Sequence, residues 1–547
     1  MQCHSFISKF SVVTFAQDTG CVNECSNSIY TCKMELINQT ESELDPVPAI
    51  ASTYWLTRFV MLRLLGVVYA VAFLVTISQV IPLIGAQGLT PVGIYLKWAS
   101  ATLGSDGAGF LRLPSLFWFG HSDTTLLTAA WVGFVLSCVV AAGYANALML
   151  AFLWLLYMSF AHVGQEWYWY GWEIQLTETG FLAIFLCPLA DPRPFPRYAP
   201  PMPIIVLFRW LIFRLMFGAA LIKLRGNEIW HNSTALYYHF ETQPIPGPLS
   251  RWFHFLPHTF LKMGVWFNWL AELVAPLFVF WPRLARHIAG VIIILFQCSL
   301  ILSGNLSFLN WLTIIPALAC FDDRFLGMLL PKRLVRKAEA AAENAEESNP
   351  MLTTAWVVAF VIGLLSILPA ANMLSSRQIM NTSFDPFDLV NTYGAFGTVG
   401  KERLNVVFEG TTDADSTDKA NWKPYLYRGL PVLLDKRPPQ IAPCQLRLDW
   451  QMWFAAMSSA DKYLWTYNLV WKLLHNDPGA VGLFAGNPFP GKPPRYIRAV
   501  LYRYRFAKPR NPLGHLWKRE RVGLWLPVLS TKNQQLVRFL KSKEWIP

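Results

Sequence analysis

The chain has 547 residues, of which 54% are hydrophobic and only 15% charged, with 24 tryptophans, 38 phenylalanines and a formal net charge of +12. Soluble globular chains carry nearer 25% charged residues, so much of this length is written for a membrane. The basic residues are spread over connections between apolar stretches and over the carboxy-terminal part instead of forming one stripe, which excludes nucleic acid as the partner that explains the charge.

In chain order, residues 1–50 are polar, carry Cys3, Cys21, Cys25 and Cys32, and lack the basic, apolar, small-residue order of a cleaved signal. They read as a disordered leader. Apolar runs of spanning length follow at about 59–83, 124–143, 145–163, 168–187, 203–222, 263–281, 287–302, 306–320 and 353–371, since a helix needs roughly 20 residues to cross hydrocarbon. The expectation is therefore an α-helical multi-pass membrane domain over 51–375 with about nine spans. Basic residues orient it. Arg193 and Arg197, Arg283 and Arg286, and Arg324, Lys332, Arg333, Arg336 and Lys337 lie in loops separated by even numbers of spans, so one assignment makes all of them cytoplasmic. The amino terminus is then cytoplasmic, and the connection 221–262 and everything beyond 371 fall on the lumenal or periplasmic side. Lys223, Arg225, Arg251 and Lys262 break the charge rule in that connection.

Residues 338–349 form an acidic helical linker before the last span. Beyond it, NVVFEG, YLYRGL, IRAVLYRYRF and GLWLPV read as strands, the turn clusters NDPG and NPFPGKPP punctuate them, and Asp461 to His475 reads as helix. Residues 376–547 are thus expected to form a mixed α+β, strand-rich exoplasmic domain.

Chemistry-bearing residues fall into two groups. Arg63, Glu173, Glu178, Arg209, Arg214 and Glu272 lie inside apolar runs. An unpaired charge there costs at least about 2.5–3.5 kcal/mol, so these groups are expected to form a structural ion-pair network between helices or to face a polar cavity. The second group is the connection after the fifth run, where Lys223, Arg225, His231, His239, Glu241 and His254 crowd among tryptophans, tyrosines and prolines. That mixture is neither bilayer core nor ordinary linker and marks either a functional surface or an amphipathic interfacial segment anchored by its aromatics. His254 and His258 stand four apart, but Pro257 between them argues against one regular helix and a shared metal. HExxH, CxxC, GxSxG and phosphate-loop motifs are absent, and no cofactor or metal is expected. Cys444 is the single cysteine after residue 371, so the carboxy-terminal domain holds no internal disulfide. Asn38, Asn232 and Asn381 open glycosylation sequons.

The runs LIKLRGNEIWHN, YYHFETQPIPGPLSRWFH, NTYGAFGTVGKERLNVVFEGT, RLDWQMWFAAM, NPFPGKPPRYIRAVLYRYRF and WKRERVGLWLP closely resemble the lipase maturation factor family, in its order, from about Tyr54 to Pro527. The resemblance implies a multi-pass protein, in eukaryotes of the endoplasmic reticulum membrane, that assists folding and assembly of secreted homodimeric lipases. It also places client contact in the carboxy-terminal region, where DWQMWF, with Trp450 and Trp453, is either a candidate surface of exposed aromatics or a buried strand or helix face. The implied partners are secreted lipase clients and membrane lipid. A shorter run, FGAALIKL at 217–224, looks like the segment that carries the catalytic lysine of vitamin K-dependent gamma-carboxylases. The alternative reading is therefore a membrane-embedded enzyme in which Lys223, its pKa lowered by desolvation, acts as base.

Overall fold

The computed structural model describes residues 53–509 and 514–547. The leader, with its cysteines and the Asn38 sequon, lies outside them. Among the described residues five helices are long and apolar enough to cross a membrane: α1 (Trp55–Ile84), α2 (Asp123–Ala142), α5 (Met202–Leu224), α10 (Arg283–Ser303) and the pair of helices over Asn349–Leu374, whose first member is α13 (Asn349–Leu365).

The other apolar runs give shorter or broken helices. The run expected at 145–163 is α3 (Ala147–Val163), 17 residues long, and the one at 168–187 is α4 (Gly171–Ile184), only 14 residues long. At 1.5 Å per residue α4 covers about 21 Å, short of the hydrocarbon thickness. It is also buried on nearly every side. Its apolar character serves protein packing, which a hydropathy reading does not distinguish from contact with lipid. The run at 263–281 begins as α9 (His258–Trp269), passes through a π turn at Leu270–Val274 and ends in a 3₁₀ turn at Ala275–Phe278. The run at 306–320 is α11 (Leu309–Ala317) with a 3₁₀ extension to Cys320.

Local chemistry sets the helix starts. Ser122, Asn146 and Ser348 each turn a side-chain oxygen onto the exposed N–H groups of α2, α3 and α13, and Pro203 stands in the first turn of α5, where a missing N–H costs nothing. Small residues set helix contacts. A Cβ on Gly66 of α1 would meet the Ala141 nitrogen of α2 at 2.5 Å, and one on Gly180 of α4 would meet the Tyr69 hydroxyl at 1.8 Å. Such close backbone approach replaces the hydrophobic drive that is missing in lipid.

The connection after α5 is helical in pieces: α6 (Glu228–His231), α7 (Leu236–Thr242) and α8 (Ser250–His254), with Pro257 capping α9. His254 closes one helix and His258 opens the next, as the intervening proline requires. Past α10 and α11, α12 (Lys332–Glu343) is the amphipathic helix that leads toward α13.

Beyond residue 381 a short hairpin pairs β1 (Thr382–Ser383) with β2 (Asn391–Thr392). The main sheet is antiparallel in the order β4–β3–β5–β6, with β3 Arg403–Thr411, β4 Lys423–Pro424, β5 Tyr496–Phe506 and β6 Trp517–Leu529. Val407 lies opposite Val500 in its centre. Of the runs expected to be strands, YLYRGL differs: the strand β4 ends at Pro424, the Tyr425 N–H still donates to the Phe408 carbonyl at 2.8 Å, and the chain then bends so that Gly429 and Leu430 donate to the Asp449 carboxylate at 2.7 and 3.0 Å. Helices α14 (Arg447–Ala455) and α15 (Trp465–Leu474) pack beside the sheet. One hydrophobic core is continuous from α1 to this region, and Trp167 meets Trp465 with ring centroids 4.8 Å apart.

Candidate functional site

The charges of the apolar runs are partnered, but not mainly with one another. Glu173 and Glu178, both with no solvent exposure, project from α4 in different directions. Glu173 accepts from Arg447 of α14 at 2.8 Å and from the hydroxyl of Tyr157. Arg447 is itself fully buried, donates to the Trp167 carbonyl and lies 3.5 Å from the centroid of the Tyr168 ring. Glu178 pairs with Arg214 of α5 and also accepts from the Tyr393 hydroxyl at 2.7 Å and the Asn391 backbone N–H at 3.1 Å. Arg214 completes the ring by donating to the Asn391 carbonyl at 2.7 Å. Each carboxylate thus ties an apolar helix to a segment beyond residue 390.

The single network expected of Arg63, Glu173, Glu178, Arg209, Arg214 and Glu272 is replaced by separate clusters, since only Arg214 and Glu178 pair within the set. Arg63 donates to the carbonyls of Phe59 and Gly143, both at 2.8 Å, and Arg209 to the Ala319 carbonyl at 2.9 Å and the Tyr54 hydroxyl at 2.7 Å.

Glu272 belongs to the next cluster. Lys223, at the end of α5, donates to both Glu272 oxygens at 2.6 and 2.5 Å and to Asn268 Oδ1 at 2.9 Å, while Asn268 donates to Glu272 at 3.1 Å. Glu272 sits in the π turn, whose extra residue interrupts the regular α spacing, and such bulges are frequent at functional positions. The Lys223 ammonium lies 5.0 Å from the centroid of the Trp230 ring. All its reach is taken up by fixed partners.

The rest of the connection is pressed against the carboxy-terminal region. Trp230 Nε1 donates to the Phe396 carbonyl at 2.9 Å, and Trp453 Nε1 to the Thr242 carbonyl at 2.9 Å. Arg403, at the start of β3, donates to the carbonyls of Glu241, Gln243 and Pro244 at 3.0, 2.5 and 2.9 Å. In return Glu241 accepts the Phe506 N–H at 2.5 Å and Arg251 donates to the Ala507 carbonyl at 2.8 Å. His254 approaches Glu241 at 3.8 Å, and Arg225 donates to Gln378 at 2.5 Å. Burial, with the nearby Lys223 charge, holds the His239 imidazole down at about 4, and burial lifts the Glu241 carboxyl against the Phe506 N–H. His239 is therefore a neutral packing group set edge-on to Phe396. His231 is exposed.

Of the two readings of DWQMWF, the buried one fits its tryptophans, although Phe454 is 36% exposed. Trp450 is 4% exposed, packed edge-on to Trp172 with centroids 4.8 Å apart, and Trp453 is half-buried under the Thr242 carbonyl. Residues Asp449 to Met452 of α14 are all buried, and a Trp450→Ala change would cost about 3–5 kcal/mol in packing. Sequence reasoning also missed Arg403, Arg447, Asn268, Asn391 and Tyr393. The near balance of arginines and glutamates in the apolar runs concealed the signal: Arg63 and Arg209 are spent on backbone carbonyls and the Tyr54 hydroxyl, and Glu173 takes its cation, Arg447, from outside those runs.

Comparison with known proteins gives matches along most of the chain. Residues 56–328 match the family model described as lipase maturation factor transmembrane domain, and residues 389–527 the one described as lipase maturation factor C-terminal domain. Lipase maturation factor 1 of Bos taurus is 42% identical over 526 residues, covering 91% of this chain and 93% of the relative. Lipase maturation factor 1 of Homo sapiens is 41% identical over 524 residues, covering 91% and 92%. Lipase maturation factor 2 of Homo sapiens is 27% identical over 610 residues, covering 89% and 84%. No solved structure matches the chain.

Proposed function

We propose that this chain, which belongs to the lipase maturation factor family, is a membrane-anchored maturation factor that assists folding and assembly of secreted lipases. The observation that carries this is the extent of the likeness: both family domains are matched in order, and relatives named for lipase maturation align over nine-tenths of both chains. The reading places the protein in the endoplasmic reticulum membrane of a eukaryotic cell, or the inner or plasma membrane of a bacterium. The carboxy-terminal region and the connection 221–262 face the lumen or periplasm, where secreted proteins mature. Positive charge in the loops around Arg193, Arg283 and Lys332 supports that orientation. Client contact falls on the outward surface of this joined body, since Trp450 is occupied within it.

Orientation has a direct test. Asp415 is exposed in a turn before Ser416 and Thr417, so Asp415→Asn completes a glycosylation acceptor there. In a eukaryotic host it should add one glycosidase-sensitive mobility step to the chain. An unmodified variant, with Glu346→Thr accepting a glycan at Asn344 instead, would contradict the orientation.

The gamma-carboxylase-like alternative draws no support from the relatives, and Lys223 is held by Glu272 and Asn268. Removing one member of a buried pair costs about 3–5 kcal/mol, whereas replacing both by apolar groups is often neutral. Lys223→Met is therefore expected to lower the protein's level and its support of lipase secretion together, and Lys223→Met with Glu272→Leu to recover both. A double variant that is as stable as the parent but matures no lipase would restore a chemical role for Lys223.

A further inference from the structure

On the face where α1 begins, Asp323 accepts the N–H groups of Trp55 and Leu56 at 2.7 and 2.8 Å, so the segment that follows Asp323 starts level with the first turn of the long apolar helix. It ends at Asn349, the start of α13, and is tied to the Arg197 loop by the Glu346 N–H on the Arg197 carbonyl at 2.9 Å. The segment therefore runs along the end of the bundle where α1 begins rather than away from it.

Its side chains divide sharply. Leu334, Val335 and Ala338 of α12 turn toward the protein, and Ala338 is 1% exposed. Lys332, Arg333, Arg336 and Lys337 fall at positions that share the opposite face and are all exposed, as is Arg324 before them. None of these five side chains has an ion-pair or hydrogen-bond partner among the described residues. Other arginines of this face behave differently: Arg193 pairs with Asp191 at 2.6 Å, Arg197 with Glu346 at 3.2 Å and Arg283 with Asp322 at 2.7 Å. The acids of α12, Glu339 and Glu343, come only after the cations. Directly before the helix Met328 and Leu329 are 73% and 70% exposed, apolar groups beside a row of unneutralised charge.

We propose that the segment Arg324–Lys337 is a binding site for anionic phospholipid, its cations meeting head-group phosphates while Met328 and Leu329 enter the acyl boundary. The charge complementarity selects this occupant: a zwitterionic surface, whose ammonium groups offset its phosphates, supplies no net charge for the five cations, and a soluble anion leaves the two apolar side chains in water. The loop's value as a topology signal requires positive charge but neither the amphipathic division nor the flanking apolar pair.

The test uses the full-length protein in detergent, where membrane orientation no longer matters, with native mass spectrometry counting bound phosphatidylserine, phosphatidylinositol or phosphatidylcholine. The expected result is retention of the anionic lipids over phosphatidylcholine, weakened by salt, and a loss of about tenfold or more in that preference in Lys332→Gln/Arg333→Gln/Arg336→Gln/Lys337→Gln. Arg193→Gln should leave it unchanged. Lys332→Gln/Arg336→Gln, which alters only two exposed groups, should show an intermediate loss with an unchanged melting temperature. Equal retention of all three lipids, or wild-type retention in the charge variants, would overturn the proposal. So would inositol phosphate binding as tightly as the intact lipid.

Discussion

Arg447→Gln is expected to lower stability by about 3–5 kcal/mol, because it leaves the Glu173 carboxylate buried in the bundle without its cation. The Tyr157 hydroxyl remains as a donor, yet one neutral hydrogen bond does not repay the desolvation of a charge. A folded domain carries only about 5–15 kcal/mol in total, so the variant should accumulate poorly and support little lipase secretion. Glu173→Gln in the same chain removes the orphaned charge, and the double variant should recover most of the loss, giving a coupling energy of the size seen for groups in one network. The contrasting control is Arg503→Gln. Arg503 bonds Glu520 at 3.0 Å, but the Glu520 side chain is 70% exposed, and loss of such a surface pair is expected to change stability by about 1 kcal/mol or less. The measurement is the melting temperature of purified protein in detergent together with its steady-state level. Similar effects of the two arginine substitutions would contradict the role assigned to Arg447.

A larger effect is expected from stopping the chain after Ser375. Size alone suggests that residues 376–547 fold independently and that the membrane domain survives without them. The contacts say otherwise. Truncation removes Arg447 from Glu173 and removes Asn391 and Tyr393 from Glu178, leaving one buried carboxylate with only the Tyr157 hydroxyl and the other held by Arg214 alone. It also strips Trp450 from Trp172 and Trp465 from Trp167, exposing large rings that no bilayer position was shaped to receive. These losses together exceed the margin of a single domain. The truncated chain should be degraded soon after synthesis and should not purify as a monodisperse particle, as pulse-chase labelling and size-exclusion chromatography would record. A truncated chain as long-lived and monodisperse as the full one would show that the two parts are separable. The same argument makes capture of a client by either half alone an unsuitable assay, since failure would report unfolding.

Much of this architecture was legible because its signals are local. Continuous apolar length announces α1, α2, α5, α10 and the helices over 349–374, and alternating apolar residues announce β3, β5 and β6. The π turn and the shortness of α4 were not legible, because a buried helix and a lipid-facing helix have the same composition. Lys223 was singled out as a cation at the end of an apolar run, and its partner Glu272 was singled out separately; their meeting depends on the packing of α5 against the π turn, which no spacing reveals. DWQMWF stayed open for a related reason. An aromatic run with few charges fits an exposed binding face and a helix wedged between two parts of one core equally well, and only the tertiary contact with Tyr170 and Trp172 decides. Arg403 and Arg447 each open an apolar run and looked like ordinary strand and helix ends, whereas one grips the backbone of the 241–244 turn and the other neutralises Glu173.

The measurement that bears most directly on the function is the amount of active lipase released per lipase synthesised by cells that lack their own maturation factor and receive this chain. The full-length protein should restore active, assembled lipase in the medium, Arg447→Gln should restore little, and Glu173→Gln/Arg447→Gln should regain most of the effect. Full-length protein that is stable and membrane-inserted while the lipase remains inactive and retained would contradict the proposed function.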